Sequence, residues 1–466
     1  MNSLPAHTLL PRLQEIAADI TLLGPETLAG RHPGEHPDNF GAGVMALPAT
    51  TEAVAELVRW CRREKVAIVP QGGRTGLVGG GVSRAGELIV STEKLAAIEL
   101  IDPAARIAVV QAGVTLQALQ EAAAIHGLTP GIDLAARGSA TIGGMVSTNA
   151  GGILAFRNGV MRHQVLGLEA VLPDGTIFND LTEVVKVSAG ADMKQLFIGA
   201  EGAYGIVTRV VLKLETLKTA RATALIGVRN AADALAVVSH FRAEPAVMLE
   251  GAELMWEQFI RDSAMIHGFD LDWLPEATPA VLLVELSAES TDAASAALEA
   301  GLETLWGSLD LCGGIVAQSL DQSRKFWELR EDSDFMYRLH PAAPSFDVSV
   351  PPGELDTYVA ALNARLSAAN PDYGVYVFGH IADGNLHISV SGAGTEVSAS
   401  DKERIEDAVY AGIRGLGGSF SAEHGAGLEK RRVYFTYGNA ERRGLAQAVK
   451  AMLDPDNLFN PGKVPY

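Results

Sequence analysis

Cysteine is nearly absent: Cys61 and Cys312 are the only two in 466 residues. Two thiols cannot build a disulfide framework, and so low a count suits a reducing compartment. No uninterrupted apolar run reaches the ~18 residues that a membrane-spanning helix needs. The first twenty residues carry Glu15 and Asp19 and lack a basic stretch followed by an apolar one, so neither a secretory signal nor a transit peptide is expected. Positive charge is also short. Lys and Arg total 37 against 56 Asp and Glu, a net charge of −19. That balance argues against nucleic acid or an anionic membrane as the main partner. The expectation is a cytoplasmic protein, peripheral wherever it meets a membrane, to which a basic protein partner could be steered. Internal repeats and low-complexity segments are missing as well.

What is present is ample core and an excess of glycine. Hydrophobic residues make up 48% of the chain, enough for two or three domains at this length. The first half reads as short strands and helices: amphipathic patterns at residues 8–22, at 51–64 with Thr51 as cap, and at 115–126. Strands are expected at Val66–Pro70, Glu87–Ser91, 107–113, 165–172 and 204–215. The pattern changes near 216–222. From there to about 410, helices (231–242, 291–304, 353–368, 400–415) alternate with strands (222–228, 280–286, 375–380, 386–391), which predicts an antiparallel sheet covered by helices. A Gly-rich strand and two helices are expected in the tail.

The 49 glycines cluster. The first cluster is Gly72, Gly73, Arg74, Thr75, Gly76, Leu77, Val78 and on to Gly81. Backbone without Cβ atoms can take positive φ and approach a ligand, and successive N–H groups then make an anion cradle suited to a pyrophosphate. The Walker ending Gly-Lys-Ser/Thr is missing, and no helix of the dinucleotide-fold pattern follows. The second cluster, residues 137–152, holds Gly138, Ser139, Gly143, Gly144, Ser147, Thr148, Asn149, Gly151 and Gly152. So long a weakly periodic stretch inside a compact domain signals function. The third contains Gly202, Gly205, Ile206 and Val207, a tight turn entering a strand.

A fourth feature is a histidine constellation. The apolar strand Val375–Phe378 ends at Gly379-His380, and Asp383-Gly384 then marks a turn before Leu386-His387. A hairpin closing there would set His380 opposite His387 on one face. Ser421-Ala422-Glu423-His424-Gly425-Ala426-Gly427 follows in the tail. Two His and one Glu suit a divalent metal such as zinc or manganese with one position open to substrate. In a regular strand Glu423 and His424 would face opposite ways, so Gly425 and Gly427 are expected to bend the backbone.

In this order and spacing the three Gly-rich loops resemble those of the vanillyl-alcohol oxidase/p-cresol methylhydroxylase superfamily of FAD enzymes. The resemblance covers residues from about 40 to 466. It implies an α+β fold: a two-subdomain FAD-binding domain of the p-cresol methylhydroxylase type over 1–215, and a substrate, or cap, domain with an antiparallel sheet covered by helices over 216–415. A C-terminal segment, 416–466, would complete the active site and return to the FAD domain. The first loop would wrap the pyrophosphate, the second follow the ribityl chain and isoalloxazine, the third back the adenine side, and Asn460 in Asn457–Lys463 lie near the flavin. Neither His nor Cys occurs between Gln71 and Gly81, so the FAD is expected to be non-covalent.

His380-x-x-Asp383-Gly384-Asn385-Leu386-His387 and the Glu423-His424 motif resemble the D-lactate/D-2-hydroxyglutarate dehydrogenase branch of that superfamily. The resemblance implies that His380, His387 and Glu423 bind the metal. His424 would take the hydroxyl proton as C2 gives hydride to flavin N5. Arg330, in Trp327-Glu328-Leu329-Arg330-Glu331, would hold the substrate carboxylate; His380, His387 and His424 would also contact substrate. A metal acidifies an α-hydroxyl, a near-neutral His is a suitable base, and a guanidinium grips a carboxylate in bidentate fashion. The reaction implied is oxidation of a D-2-hydroxy acid to the 2-oxo acid. Electrons would pass to a carrier such as an electron-transfer flavoprotein, a cytochrome or a quinone. A homodimer is among the expectations.

The chain departs from the 2-hydroxyglutarate pattern at three positions. It has Asp334 where a Thr stands, Ser345 where a Lys stands, and Ser389 where an Asn stands. Losing the Lys removes a charge for a distal carboxylate, which brings D-lactate or a longer neutral 2-hydroxy acid into contention. The alternative reading is a non-redox FAD-dependent transferase of the alkyl-glycerone-phosphate synthase type.

Overall fold

The computed structural model describes residues 6–16, 19–392 and 397–464. The chain divides into two compact units, Met1–Leu217 with Glu423–Tyr466, and Lys218–Ala422.

In the first unit, β1 (Ile20–Leu23), β2 (Met45–Pro48), β3 (Ala67–Gln71) and β4 (Glu87–Ser91) form a sheet in the order β1-β2-β4-β3. β1 runs antiparallel to β2, while β4 runs parallel to both of its neighbours. Every residue of β4 is buried, as expected of a parallel strand covered on both faces. Helix Thr51–Glu64 packs against this sheet with Val54, Leu57, Val58 and Cys61 inward. Its cap is Thr50 rather than Thr51: the Thr50 hydroxyl accepts from Ala53 N, while Thr51 spends its own on Glu169. The helix expected over 8–22 also stops short. It spans Ala6–Leu13, and Ile20–Leu23 is a strand, because this β-branched, apolar run finds a partner edge in Met45–Pro48. Residues 17–18 of that expected helix lie outside the described residues.

The second sheet of this unit holds β5 (Ile98–Asp102), β6 (Ile107–Gln111), β7 (Leu128–Pro130), β8 (Val165–Val171), β9 (Ile177–Asp180) and β10 (Ile206–Thr216). Its order is β5-β6-β10-β8-β9, with β7 also on β10. Residues 137–152 are not structureless. Thr141 caps a helix, Ile142–Thr148, through its hydroxyl to Gly144 N. Small residues hid this helix, since a Gly-rich turn of helix shows almost no hydrophobic period. No strand forms in the Gly-rich segment of the tail, which is loop up to helices Arg431–Tyr437 and Ala440–Leu453.

The second unit is one antiparallel sheet with helices: β11 (Ala220–Val228), β12 (Met248–Trp256), β13 (Ala280–Ala288), β14 (Gly313–Val316), β15 (Ser345–Ser349), β16 (Gly374–His380) and β17 (Asn385–Ser391). The order is β14-β11-β13-β12-β16-β17-β15. All nine residues of β13 are buried, so both sheet faces are covered. On one face Val281, Leu283, Met255 and Phe378 meet Phe259 and Ile260 of helix Glu257–His267 and Phe326 and Leu329 of helix Leu320–Glu331. Each such side chain taken from water contributes about 1.5–3 kcal/mol. Residues 416–422, expected to belong to the tail, stay with this unit, because Ser419 bridges Ser349 at the end of β15.

Among the described residues no helix is long and apolar enough to cross a membrane.

Candidate functional site

The predicted hairpin forms. β16 and β17 pair with Phe378 opposite His387, and Ile381–Gly384 closes the loop with Gly384 at φ +78°. A Cβ on Gly384 would run into the Val350 carbonyl, so both conformation and space demand glycine there. The loop is four residues long, two more than a tight turn needs, and this shifts the pairing. His380 therefore sits two residues beyond His387's direct partner, on the same sheet face, rather than opposite it. The two imidazoles still meet, with ring centroids 5.3 Å apart at 83°.

Each ring is held by a buried carboxylate that the sequence reading did not find. Glu253 lies directly across from His380 on β12, and its Oε1 is 2.6 Å from His380 Nδ1. Asp347 lies directly across from His387 on β15, and its Oδ1 is 3.2 Å from His387 Nδ1. A carboxylate on Nδ1 selects the tautomer whose lone pair is on Nε2, the nitrogen a metal would use. Carboxylate–histidine pairs of this kind are the usual support of metal-binding imidazoles, so the donor set fits a divalent cation. Asp347 is fixed in turn by the Asn385 amide, 2.7 Å from its Oδ1.

Arg330 reaches the same place. Helix Leu320–Glu331 is capped by the Ser319 hydroxyl and tied down by Trp327 Nε1 donating to Glu285 on β13 and by the Leu329 carbonyl accepting from Ser263. The Arg330 guanidinium is buried over the Phe378 ring and donates Nε–H to Glu253 Oε2 at 2.7 Å. Burial alone would raise the Glu253 carboxyl, but the His380 and Arg330 charges override it and lower it to about 2. Glu253 is therefore an anion at any working pH.

The three departures fall into place around this half. Ser345 pairs with Ser389 across β15 and β17, one step along the same face from Asp347 and His387. Tyr337 Oη donates to Ser345 Oγ at 2.7 Å, and Ser345 Oγ to Ser389 Oγ at 3.3 Å. The outcome is a row of hydroxyls. Asp334 sits at the start of the short helix Phe335–Leu339 without capping it through its side chain.

In the first unit the Gly-rich loops converge. Gly73 packs so tightly on Ser139 and Ala140 of the second loop that a Cβ there would overlap the Ser139 carbonyl, whereas Gly76 faces open space. Arg74, expected to bind cofactor, adopts φ +58°, and its side chain stacks over Phe40 and pairs with Glu93 at 2.5 Å. Ser147 and Thr148 spend their hydroxyls on the carbonyls of Gly143 and Gly144. Asn149 caps that helix at φ +53° and accepts from Arg162 N. The backbone of this loop, more than its side chains, is what remains to meet a ligand. The Asn460 amide nitrogen bonds the carbonyls of Gly80 and Glu201. Asn460 Oδ1 and Gln71 Oε1 are buried without a hydrogen-bond partner. Buried acceptors are rarely left so, and both fit the N–H and hydroxyl donors of a flavin.

Glu423 and His424 do not form a strand. His424 has φ +70° and Gly425 φ +83°, the irregular backbone expected of the pair. The Glu423 carboxylate accepts from Gly152 N at 2.6 Å, and Gly151 leaves it room. Glu423 is thus joined directly to the second Gly-rich loop.

Glu201, in the third cluster, is a further residue missed in the sequence. Its carboxylate accepts from the N–H groups of Ala426 and Gly427, and its own N–H donates to the Ser147 carbonyl. It therefore locks the Glu423–Gly427 segment to two flavin loops. Burial raises its carboxyl to about 7, against the lowering effect of those two N–H groups and of Lys430; Tyr434 faces it as well. A carboxyl raised in the fold binds a proton there that the unfolded chain has lost. Stability contributed by that proton is present below the ordinary value of 4.5 and is lost as pH rises toward 7. Glu201→Gln should flatten this slope; thermal melts of the FAD-loaded protein at pH 5 and pH 7.5 check it.

Comparison with known proteins decides the family. Residues 42–181 match the FAD binding domain model, and residues 217–464 match the C-terminal domain model of the FAD linked oxidases. The chain belongs to the FAD-linked oxidases. The D-2-hydroxyglutarate dehydrogenase of Xanthomonas citri pv. viticola is 36% identical over 429 residues, covering 90% of this FAD-linked oxidase and 88% of the relative. The mitochondrial D-2-hydroxyglutarate dehydrogenase of Bos taurus is 34% identical, with 90% and 76% covered. The D-2-hydroxyglutarate dehydrogenase of Stutzerimonas stutzeri is 32% identical, with 90% of each covered. Among solved structures, an alkyldihydroxyacetonephosphate synthase superposes with a TM-score of 0.65 at 16% identity, covering 90% of this chain and 76% of the other. At that identity the likeness establishes the fold, mixed α/β with an FAD-binding part and a C-terminal part, and lends no weight to transferase chemistry.

Proposed function

We propose that this FAD-linked oxidase is a metal-dependent dehydrogenase of D-2-hydroxy acids. The observation that carries the reading is the pair of imidazoles, buried His380 and half-buried His387, each backed on Nδ1 by its own carboxylate, with Arg330 anchored beside them. The dehydrogenase relatives at 32–36% identity over 90% of the chain support the same reaction class.

The third metal ligand in this reading is Glu423, the acid that the resemblance assigns to that place. Chain connectivity supports it. Ala422, the residue before, donates its N–H to the Asp347 carbonyl at 3.3 Å, and Asp347 is the carboxylate that holds His387. FAD, when bound, supplies a two-electron acceptor, and a divalent metal such as zinc or manganese supplies a Lewis acid for the α-hydroxyl. The protein's own residues do the rest. Arg330 holds the substrate carboxylate with the N–H groups that Glu253 does not occupy. His424 takes the hydroxyl proton. Gly72–Val78 and Gly138–Gly152 present backbone N–H groups to the cofactor, Gly202, Gly205, Ile206 and Val207 back it, and Asn460 closes on it.

The hydroxyl row Tyr337–Ser345–Ser389 sets the tail preference. Hydroxyls hydrogen-bond a neutral tail but offer no countercharge to a distal carboxylate. A D-2-hydroxy acid with an uncharged tail is therefore the expected substrate. The electrons would leave for a carrier such as an electron-transfer flavoprotein, a cytochrome or a quinone. A panel of D- and L-2-hydroxy acids with a dye acceptor tests the reading. D-Lactate or a longer neutral D-acid should give a higher kcat/KM than D-2-hydroxyglutarate. A tenfold preference for the dicarboxylate would overturn the tail assignment, and turnover of L-acids alone would overturn the substrate class.

A further inference from the structure

One carboxylate serves two functional side chains. Glu253 Oε1 is 2.6 Å from Nδ1 of His380, and its Oε2 is 2.7 Å from both Nε and Nη2 of Arg330. Its side chain is 1% exposed. Strand pairing puts Glu253 directly across from His380, and the guanidinium arrives from helix Leu320–Glu331, stacked over Phe378. The two groups share this anion, and neither can rotate without breaking a charge-assisted bond to it.

We propose that Glu253 is a positioning residue that fixes the tautomer of His380 and the orientation of Arg330 together, so that the cation and the substrate carboxylate are received in one geometry. This rests on the metal-dependent reading given above. Each oxygen accepts from one partner, and only a carboxylate offers two acceptors. A carboxamide cannot replace it. If the Gln oxygen serves Arg330, its NH₂ faces Nδ1 of His380, and the ring proton must move to Nε2, closing that nitrogen to a metal. If the amide flips, its NH₂ meets the guanidinium, donor against donor.

The test uses FAD-loaded, metal-stripped protein. Co²⁺ affinity is measured by competition with a chromophoric chelator, and the imidazole tautomers by ¹⁵N NMR of histidine-labelled protein, with His380→Ala assigning the signal. Glu253→Gln should weaken Co²⁺ binding by about 10–100-fold, the usual cost of losing such a support, and should move the His380 signal from the Nδ1–H to the Nε2–H pattern. Glu253→Asp keeps the charge but is too short to reach both partners. It should weaken Co²⁺ binding as well, and it stands in if the Gln variant does not fold. Wild-type Co²⁺ affinity in the folded variant, with His380→Ala weakened, overturns the role of Glu253. Wild-type affinity in His380→Ala itself overturns the metal reading instead.

Discussion

Replacing His424 with alanine should slow reduction of the bound flavin by a D-2-hydroxy acid about 10³-fold while leaving the protein yellow. The magnitude follows from the role: a positioned general base contributes roughly 10²–10⁴-fold. Retention of FAD follows from the architecture. The cofactor loops are held by backbone contacts of their own, such as Gly73 on Ser139 and Ala140 and the Asn460 amide on Gly80 and Glu201. The loop carrying His424 is held by Glu201 through the N–H groups of Ala426 and Gly427. Stopped-flow absorbance at the flavin band, without oxygen, gives the rate. A loss under tenfold would remove His424 from the chemistry. A colourless variant would place it in cofactor binding instead.

The second large effect is expected from the cation. Chelation of the purified enzyme should abolish flavin reduction, and added Zn²⁺ or Mn²⁺ should restore it. Neutral hydroxyl groups hold their protons far above neutral pH, and a bound cation is the means of bringing one into the range of an imidazole base. The same loss, now without rescue, is expected of His387→Ala. Removing that ring takes away one donor and leaves the Asp347 carboxylate without its imidazole partner. Activity of His387→Ala equal to the wild type at saturating metal would show that the ring is structural. Asp347→Asn should fall between His387→Ala and the wild type. Its amide oxygen can still accept from Nδ1–H but without the carboxylate's charge, so the tautomer is held less firmly while the ring stays in place.

Much of this was legible in the sequence because local chemistry carried it. Gly384 after Asp383, between two apolar runs, announced the hairpin, and two histidines at its ends announced a site. The Gly-rich segments announced a cofactor because no packed core needs so many glycines together. The residues that support the site were not legible, for physical reasons. Glu253 lies in Met248–Trp256 and Glu285 in Ala280–Ala288, strands buried along almost all of their length. The first reads as an apolar run with two acids inside it, Glu250 and Glu253, and the second as one with a single acid. The partners that make those acids tolerable, His380, Arg330 and Trp327, are between 42 and 127 residues away. A glutamate inside an otherwise buried strand was the available signal, since an unpaired carboxylate cannot remain there. Glu201 was overlooked similarly, as one polar residue among glycines. Arg74 is marked by its place in the loop, and the partner of its side chain, Glu93, lies nineteen residues on, outside that loop. The strand Ile20–Leu23 was read as helix because its pairing edge, β2, lies beyond the window in which a helical period is judged.

Oxidation of a D-2-hydroxy acid with FAD, under the control of a metal held by His380 and His387, is the function proposed for this fold. It is tested by mixing the purified holoenzyme with D-lactate in the absence of oxygen, with and without a chelator, and following the flavin band. Rapid bleaching is expected with the D-acid, none with L-lactate, and none with either after chelation until Zn²⁺ or Mn²⁺ is returned. Bleaching that proceeds at the same rate in the chelated enzyme would contradict it.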